Sequence, residues 1–296
     1  MLKIEDLITI ENKIIKFHYL SKEILKEKLV SSNFSTIKHL RSSRLTEDKD
    51  SYMDKEAQIK FIQKKRGYFD NIVVTEKIDG MNAGIYRKGN EFYPLNRKGY
   101  DVRTGIIYSD GTINWLFFFW AYEANKIVRN ITRVFDPSYI NKVLFPEGYR
   151  YVFENTMLTH TLKYNFKKSS PMFLLSIFDK KNNRLTDKEI EFRANELNFQ
   201  RPPKLSEGIA LDPIYIIDSY DRKSLVGCKD DMEGVVYVYE RYDAKEKKYK
   251  VESTAKFVSN PNMGTQSEFP NKFNDWYEKD KYIDIRNRVS EEWFSS

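Results

Sequence analysis

Lys77 lies in the stretch TEKIDGMN, directly after the β-type run Ile72-Val73-Val74-Thr75. A lysine at the end of a buried strand has two readings. It can be a solvated charge at a strand-to-turn junction, with Asp79-Gly80 making the turn. It can also be a nucleophile at the mouth of a nucleotide pocket, provided its proton is removed. Downstream, in order, come Asn96-Arg97, Glu154 in FENTMLTHTLKY, Phe178-Asp179 in FLLSIFD, Glu233-Gly234 in MEGVVYVYE and Lys256 in TAKFV. Each falls on or at the end of a predicted strand. Other machinery is missing: there is no Walker-type phosphate loop, no Gly-x-Gly-x-x-Gly turn and no Gly-x-Ser-x-Gly elbow. The three histidines have no zinc-ligand spacing.

The elements that must position these residues are mostly strands. IVVTEK, NAGIYRKGNEFYPLNRKG (a hairpin about Lys88-Gly89-Asn90), YRYVFENT, MFLLSIFD, IYIID and EGVVYVYE carry β-branched and aromatic enrichment. The last pairs with YKVESTAKFV across the charged turn from Asp243 to Lys248. Helical patterns cover 1–30, Lys55 to Lys65 (ended by Gly67), 112–131 and 186–197, where Thr186 and Glu189 have capping-box spacing. Residues 31–50 read as a polar surface loop, and the segment after Lys256 as one or two helices with Trp276, Tyr277, Tyr282 and Trp293 available to pack back. Strands with interleaved helices and several hairpins predict an α+β fold with antiparallel sheets.

The chain has 296 residues, enough to bury a substantial core, with 41% hydrophobic and 15% aromatic residues. A formal net charge of +7 favours an anionic partner such as nucleic acid, although a basic excess also serves solubility. One cysteine, Cys228, excludes an internal disulfide and a thiolate metal cluster, and fits a reducing compartment. The start lacks a signal-peptide core, and the most apolar run, Trp115 to Tyr122, is too short to span a bilayer. The expectation is an intracellular, cytoplasmic protein without a membrane partner.

The ordered set resembles the nucleotidyltransferase motifs of the covalent ligase and capping-enzyme superfamily. KHLRSSR, TEKIDGMNAGIYR, FENTMLTHTLKY and the segment from SIFD through LNFQRPPKLSEG narrow the resemblance to ATP-dependent RNA ligases of the RNA ligase 2-like group, over roughly residues 35–260. It implies a ligase adenylation fold of antiparallel sheets flanked by helices, with 61–260 as the nucleotidyltransferase domain, 1–60 as an accessory helical and loop segment, and 261–296 as a short helical tail. The implied reaction joins 5′-phosphate and 3′-hydroxyl RNA ends through a lysyl-AMP intermediate, using ATP with Mg2+ or Mn2+. A kinase or phosphatase that heals the ends is an implied partner.

The resemblance also assigns roles. Lys77 is the adenylated nucleophile, and Glu76 and the strand backbone lie by the adenine amino group. Arg97 and Glu154 grip the ribose, Phe178 stacks on adenine, and Glu233 holds the metal through its water shell. Asp79 orients the nucleophile or helps sealing, and Lys256 contacts the α-phosphate. Physically, a free lysine with a pKa of ~10.4 is protonated at neutral pH, and nearby Lys256 with partial desolvation is expected to lower that value for Lys77. Two departures stand out: Thr254 replaces the first lysine of a Lys-x-Lys pair, and Asp79 occupies a position where some RNA ligases carry histidine.

Ordinary readings compete with several roles. Phe178 can be plain core, Arg97 a charged hairpin face, His160 and Tyr164 structural rather than phosphate contacts, and RYDAKEKKYK (241–250) a solvated hairpin tip rather than a nucleic-acid rim. A non-catalytic nucleic-acid-binding protein with the same fold, or a DNA ligase or capping-type transferase, are the alternative functions. The short segment after Lys256 disfavours the latter two, which carry an oligonucleotide-binding barrel there.

Overall fold

A computed structural model of the chain describes residues 29–30, 37–39, 71–106, 112–167, 169–208, 211–228, 230–259 and 272–295. The helices expected over 1–28 and 55–65, and the KHLRSSR loop apart from its first residues, lie outside the described residues. Strands run β1 Ile37–His39, β2 Asn71–Glu76, β3 Met81–Lys88, β4 Glu91–Asn96, β5 Arg150–Asn155, β6 Asn165–Lys167, β7 Met172–Phe178, β8 Lys204–Glu207, β9 Gly234–Asp243, β10 Lys248–Val258 and β11 Asp275–Trp276. The longer helices are α1 Trp115–Val134, α2 Asp187–Glu196, α3 Pro213–Ser219 and α4 Lys279–Ser295.

Two sheets dominate. One has strand order β1-β10-β9-β2-β8 and the other β4-β3-β5-β7. All their pairings are antiparallel except β1 with β10. Strand alternation gives each sheet an apolar outer face. In the five-stranded sheet Ile72, Val74, Val235, Tyr237, Ala255 and Phe257 pack with Ile216 and Ile217 of α3. In the four-stranded sheet Ala83, Ile85, Tyr151, Phe153, Leu174 and Ile177 pack with Phe118, Phe119, Trp120 and Ala124 of α1. Each valine, leucine, isoleucine or phenylalanine so buried contributes about 1.5–3 kcal/mol. The opposite faces carry Val73, Thr75 and Lys77 on one sheet, and Asn82, Gly84, Val152 and Glu154 on the other. These faces bound the cleft.

The segment IYIID, expected as a strand, is helical in α3. The residues just before it decide this: Asp212 accepts from the Ile214 and Tyr215 backbone N–H groups, and Pro213 occupies the first turn. An N-cap followed by proline nucleates a helix whatever the β propensity of the next residues. The capping box of α2 forms as expected, with Thr186 and Glu189 bonded reciprocally. The tail packs back through Trp276 and Tyr282, both buried, whereas Tyr277 is exposed.

A buried ionic node ties the sheets together at α2. The Asp187 backbone N–H donates to Glu240 Oε1 of β9 at 2.6 Å, and Asn71 Nδ2 donates to Glu240 Oε2 at 3.1 Å. The Asp187 carboxylate pairs with Arg201 and, at 3.0 Å, with Lys204. Burial alone would raise the Asp187 pKa, but the Arg201 and Lys204 cations hold it below the usual range. Its contribution is therefore present above the unfolded carboxylate pKa and is lost as pH falls through the lower folded value. Asp187→Ala will cost about 3 kcal/mol of unfolding free energy at neutral pH, measured by urea denaturation, by stranding the Arg201 charge. That deficit relative to wild type will shrink in acid.

Candidate active site

The strand-end lysine is placed by main-chain bonds at the rim of the cleft. Lys77 N donates to Gly234 O at 2.8 Å, fixing the end of β2 against the start of β9. A Cβ at Gly234 would lie 1.9 Å from the Phe257 carbonyl oxygen, so only glycine lets β9 and β10 close up here. Gly80 is equally constrained, with Asn155 O 2.7 Å from where a Cβ would stand. The result brings Lys77, Glu233 and Lys256, which come from three neighbouring strand ends, onto one face. Glu154 approaches them from the facing sheet.

Lys77 Nζ is ion-paired with Glu233, and both side chains are largely buried. Burial alone would lower the Lys77 pKa, but the negative charges of Glu233, Glu154 and Asp79 outweigh it and raise the value above that of a free lysine. This corrects the expectation that Lys256 and desolvation depress it: carboxylates, not cations, dominate around the amine. The depressed lysine is Lys256, pushed down to about 8 by burial, then by the Lys77 and Arg97 charges. Glu154 is pushed up to about 7 by burial and by the neighbouring Glu233 and Asp79 carboxylates, against the pull of Lys77. Burial also raises Glu233, with Lys77 opposing.

Asp79 organises the loop that follows β5. Its Oδ2 accepts from the Thr161 and Leu162 backbone N–H groups at 2.8 and 2.7 Å, and its Oδ1 lies 2.9 Å from His160 Nδ1. Its own N–H donates to the Tyr164 hydroxyl at 2.8 Å. Burial would raise the Asp79 pKa, but His160 and the two N–H donors together lower it. The His160 pKa is raised, first by the Asp79 bond, with Glu154 and Glu233 adding to it. Tyr164 is buried, so its role is structural, whereas the His160 side chain is 49% exposed. Buried Asn274, from the tail, reinforces this loop by accepting from Tyr164 N at 2.9 Å and donating to Thr156 O at 2.7 Å. No motif pointed to Asn274, because its partners are main-chain groups distant in sequence.

The side chains of Glu76 and Phe178 have protein partners of their own. Glu76 shares the face of Ile72 and Val74, opposite to Lys77, and its carboxylate accepts from Ser224 Oγ at 2.5 Å and Leu225 N at 2.9 Å. Alternation at the strand end aims this carboxylate into the loop after α3, on the face away from Lys77. Phe178 does lie on the cleft face, but it pairs with Arg150, four residues along β5 from Glu154. The Arg150 guanidinium covers its ring at 4.5 Å from the centroid. Arg97 is exposed on the turn after β4, close enough to act on Lys256.

Among the described residues no three carboxylate, histidine or cysteine side chains converge as a ready-made metal cage. Two carboxylates, half-buried Glu154 and buried Glu233, do lie about the lysine, and it is chiefly loss of solvent that holds the Glu154 pKa up. One or two carboxylates completed by substrate phosphates is a donor set that suits Mg2+ or Mn2+.

A family model described as RNA ligase matches residues 70–258, more than half of the chain. The chain belongs to the RNA ligase family. Its matched span runs from the start of β2 to the end of β10 and contains every residue of the cleft cluster. No curated protein matches the sequence. Solved structures of similar fold include Naegleria gruberi RNA ligase, in a variant form with ATP and Mn, at 17% identity and a TM-score of 0.40 over 64% of this chain and 50% of that one. An archaeal ATP-dependent RNA ligase aligns at 13% identity and a TM-score of 0.36, over 64% of this chain and 43% of that one. The chain thus spans about half the length of these solved relatives or less.

The Asp79–His160 pair yields a direct check. In Asp79→Asn the His160 pKa will fall towards the ordinary value of about 6.5, as read from its imidazole resonances by NMR titration. An unchanged titration would remove Asp79 as the cause.

Proposed function

We propose that this RNA ligase family member seals RNA ends with ATP through a covalent adenylate on Lys77. The observation that carries the reading is a largely buried lysine ion-paired with buried Glu233, with Glu154 on the facing sheet and a second, depressed lysine beside it, all inside the family's matched span. In the first step Lys77 Nζ attacks the α-phosphorus of ATP. A P–N bond forms, the bond to the pyrophosphate oxygen breaks with its electron pair on pyrophosphate, and the amine gives up its proton. The adenylate then passes to an RNA 5′-phosphate, and a 3′-hydroxyl displaces AMP.

The raised Lys77 pKa means that the resting amine is protonated. Glu233 would hold a divalent cation together with the ATP phosphates, and that charge would offset its carboxylate. With Glu233 offset, burial and the Lys256 charge would act on Lys77 against weaker opposition, in the direction that frees its lone pair. In this reading Lys256 offers its ammonium to the α-phosphate, and Arg97 and Glu154 take the ribose hydroxyls. Asp79 fixes the 156–165 loop beside the nucleophile. A phenyl face of Phe178 remains the proposed base contact, on the side away from Arg150. Mg2+ as the preferred ion, end-healing partner enzymes and a cytoplasmic setting belong to this proposal as well.

Incubation with α-labelled ATP will label the wild-type protein, and Lys77→Ala will abolish the label; labelling of that variant would place the nucleophile elsewhere. Because Lys256 is charged below its pKa of about 8 and neutral above it, ATP affinity will weaken several-fold as pH rises through that value. Lys256→Arg, charged throughout, will bind ATP with little change over the same range, as read by titration calorimetry.

A further inference from the structure

In the lysyl-AMP step His160 has no task, yet its ring is held in place by a buried group. Asp79 turns both carboxylate oxygens inward: Oδ2 accepts from Thr161 N and Leu162 N, and Oδ1 lies 2.9 Å from His160 Nδ1. His160 and the two N–H groups lower the Asp79 pKa, so the carboxylate is ionised at neutral pH. An ionised carboxylate only accepts, so Nδ1 is the donor in this bond. That aims the opposite nitrogen, Nε2, away from Asp79. Nε2 has no hydrogen-bond partner among the described residues, and the side chain is half-exposed.

The loop that carries His160 is electrically one-sided. Residues 156–165 (TMLTHTLKYN) contain no carboxylate. Leu162 and Tyr164 are buried, whereas His160 and Lys163 are exposed, so both basic side chains lie on the solvent side. Lys163 has no carboxylate partner among the described residues. The acids that act on His160 do so from inside the cleft: Asp79 through its bond, then Glu154 and Glu233, the last ion-paired with Lys77. Their pull raises the imidazole pKa and so favours a proton on Nε2. A half-exposed N–H donor beside the nucleophile suits a phosphate that arrives from solvent. In the proposed mechanism Lys256 meets the ATP phosphate from the other sheet, which leaves His160 for the second phosphate-bearing substrate.

We propose that His160 determines specificity for the RNA end: its Nε2–H donates to the terminal 5′-phosphate, with Asp79 as the positioning residue behind it. This rests on the reading of the chain as an RNA ligase, and it names the group that tells a 5′-phosphate from a 5′-hydroxyl. The terminal phosphate of ATP offers the same chemistry and is the alternative source.

The affinity of the full chain, without ATP, is measured for a single-stranded RNA of about 10 nucleotides bearing either a 5′-phosphate or a 5′-hydroxyl. Wild type will bind the 5′-phosphate form about tenfold tighter, the scale of one charge-assisted hydrogen bond. His160→Ala will bind both forms alike. His160→Asn separates recognition from bracing, because its Nδ2 donor stands where Nδ1 stood and nothing replaces Nε2. It will melt as wild type does and lose the 5′-phosphate preference. A wild type indifferent to the 5′ group, or a His160→Asn variant that keeps the preference, would overturn the proposal. If that variant keeps the preference but loses about tenfold in ATP affinity, the contact belongs to ATP and the RNA assignment is wrong. If wild type reads the 5′-phosphate through His160 but forms no lysyl-AMP, the ligase reading fails and the phosphate contact stands. If lysyl-AMP forms and the preference survives in His160→Asn, only the assignment of His160 fails.

Discussion

The contact between the buried Lys77 ammonium and the Glu233 carboxylate is the interaction around which the cleft is organised. It joins the end of β2 to the residue that precedes β9, and the charge of Glu154 acts on the same amine from the facing sheet. An isolated charge at this depth would be costly, and so would two unpaired carboxylates. Each group is tolerated because of the others. The resting site is consequently a closed, self-neutralising cluster rather than an exposed nucleophile, and its electrostatics favour the protonated amine.

The rest of the fold serves that cluster. Outer-face cores under α1 and α3 hold the two sheets as rigid plates, so that their inner faces can carry polar groups. The Asp187–Arg201–Lys204 node, bonded onto Glu240 of β9, fixes one plate against the other at the far end. At the near end the tail contributes Asn274 and the short β11–β6 pairing, which brace the loop that Asp79 caps. The tail beyond the last core strand is thus part of the site's support.

Much of this was legible in the chain. Short apolar runs bounded by turn residues gave most strands, and the hairpin at Lys88-Gly89-Asn90 and the α2 capping box form as expected, because those signals are local. IYIID was misread because its β-branched content outweighed the Asp212-Pro213 start signal that decides it. The side-chain partners of Glu76 were not legible, because adjacency to Lys77 in sequence means opposite faces on a strand. The direction of the Lys77 pKa was misjudged for a different reason. Lys256 was visible as a neighbour, but the approach of Glu154 from the second sheet depends on how two plates pack, which no local pattern encodes. The same limit hid Asn274 and left Phe178 without its Arg150 neighbour.

The central claim is that carboxylates hold the Lys77 amine protonated in the nucleotide-free protein. Reductive 13C-methylation of the lysines, with the Lys77 resonance assigned by its loss in Lys77→Arg, allows that amine to be titrated directly by NMR. The account predicts a value above that of an ordinary lysine, falling in Glu233→Gln. A Lys77 amine that titrates below the ordinary range, or is indifferent to Glu233, would contradict it.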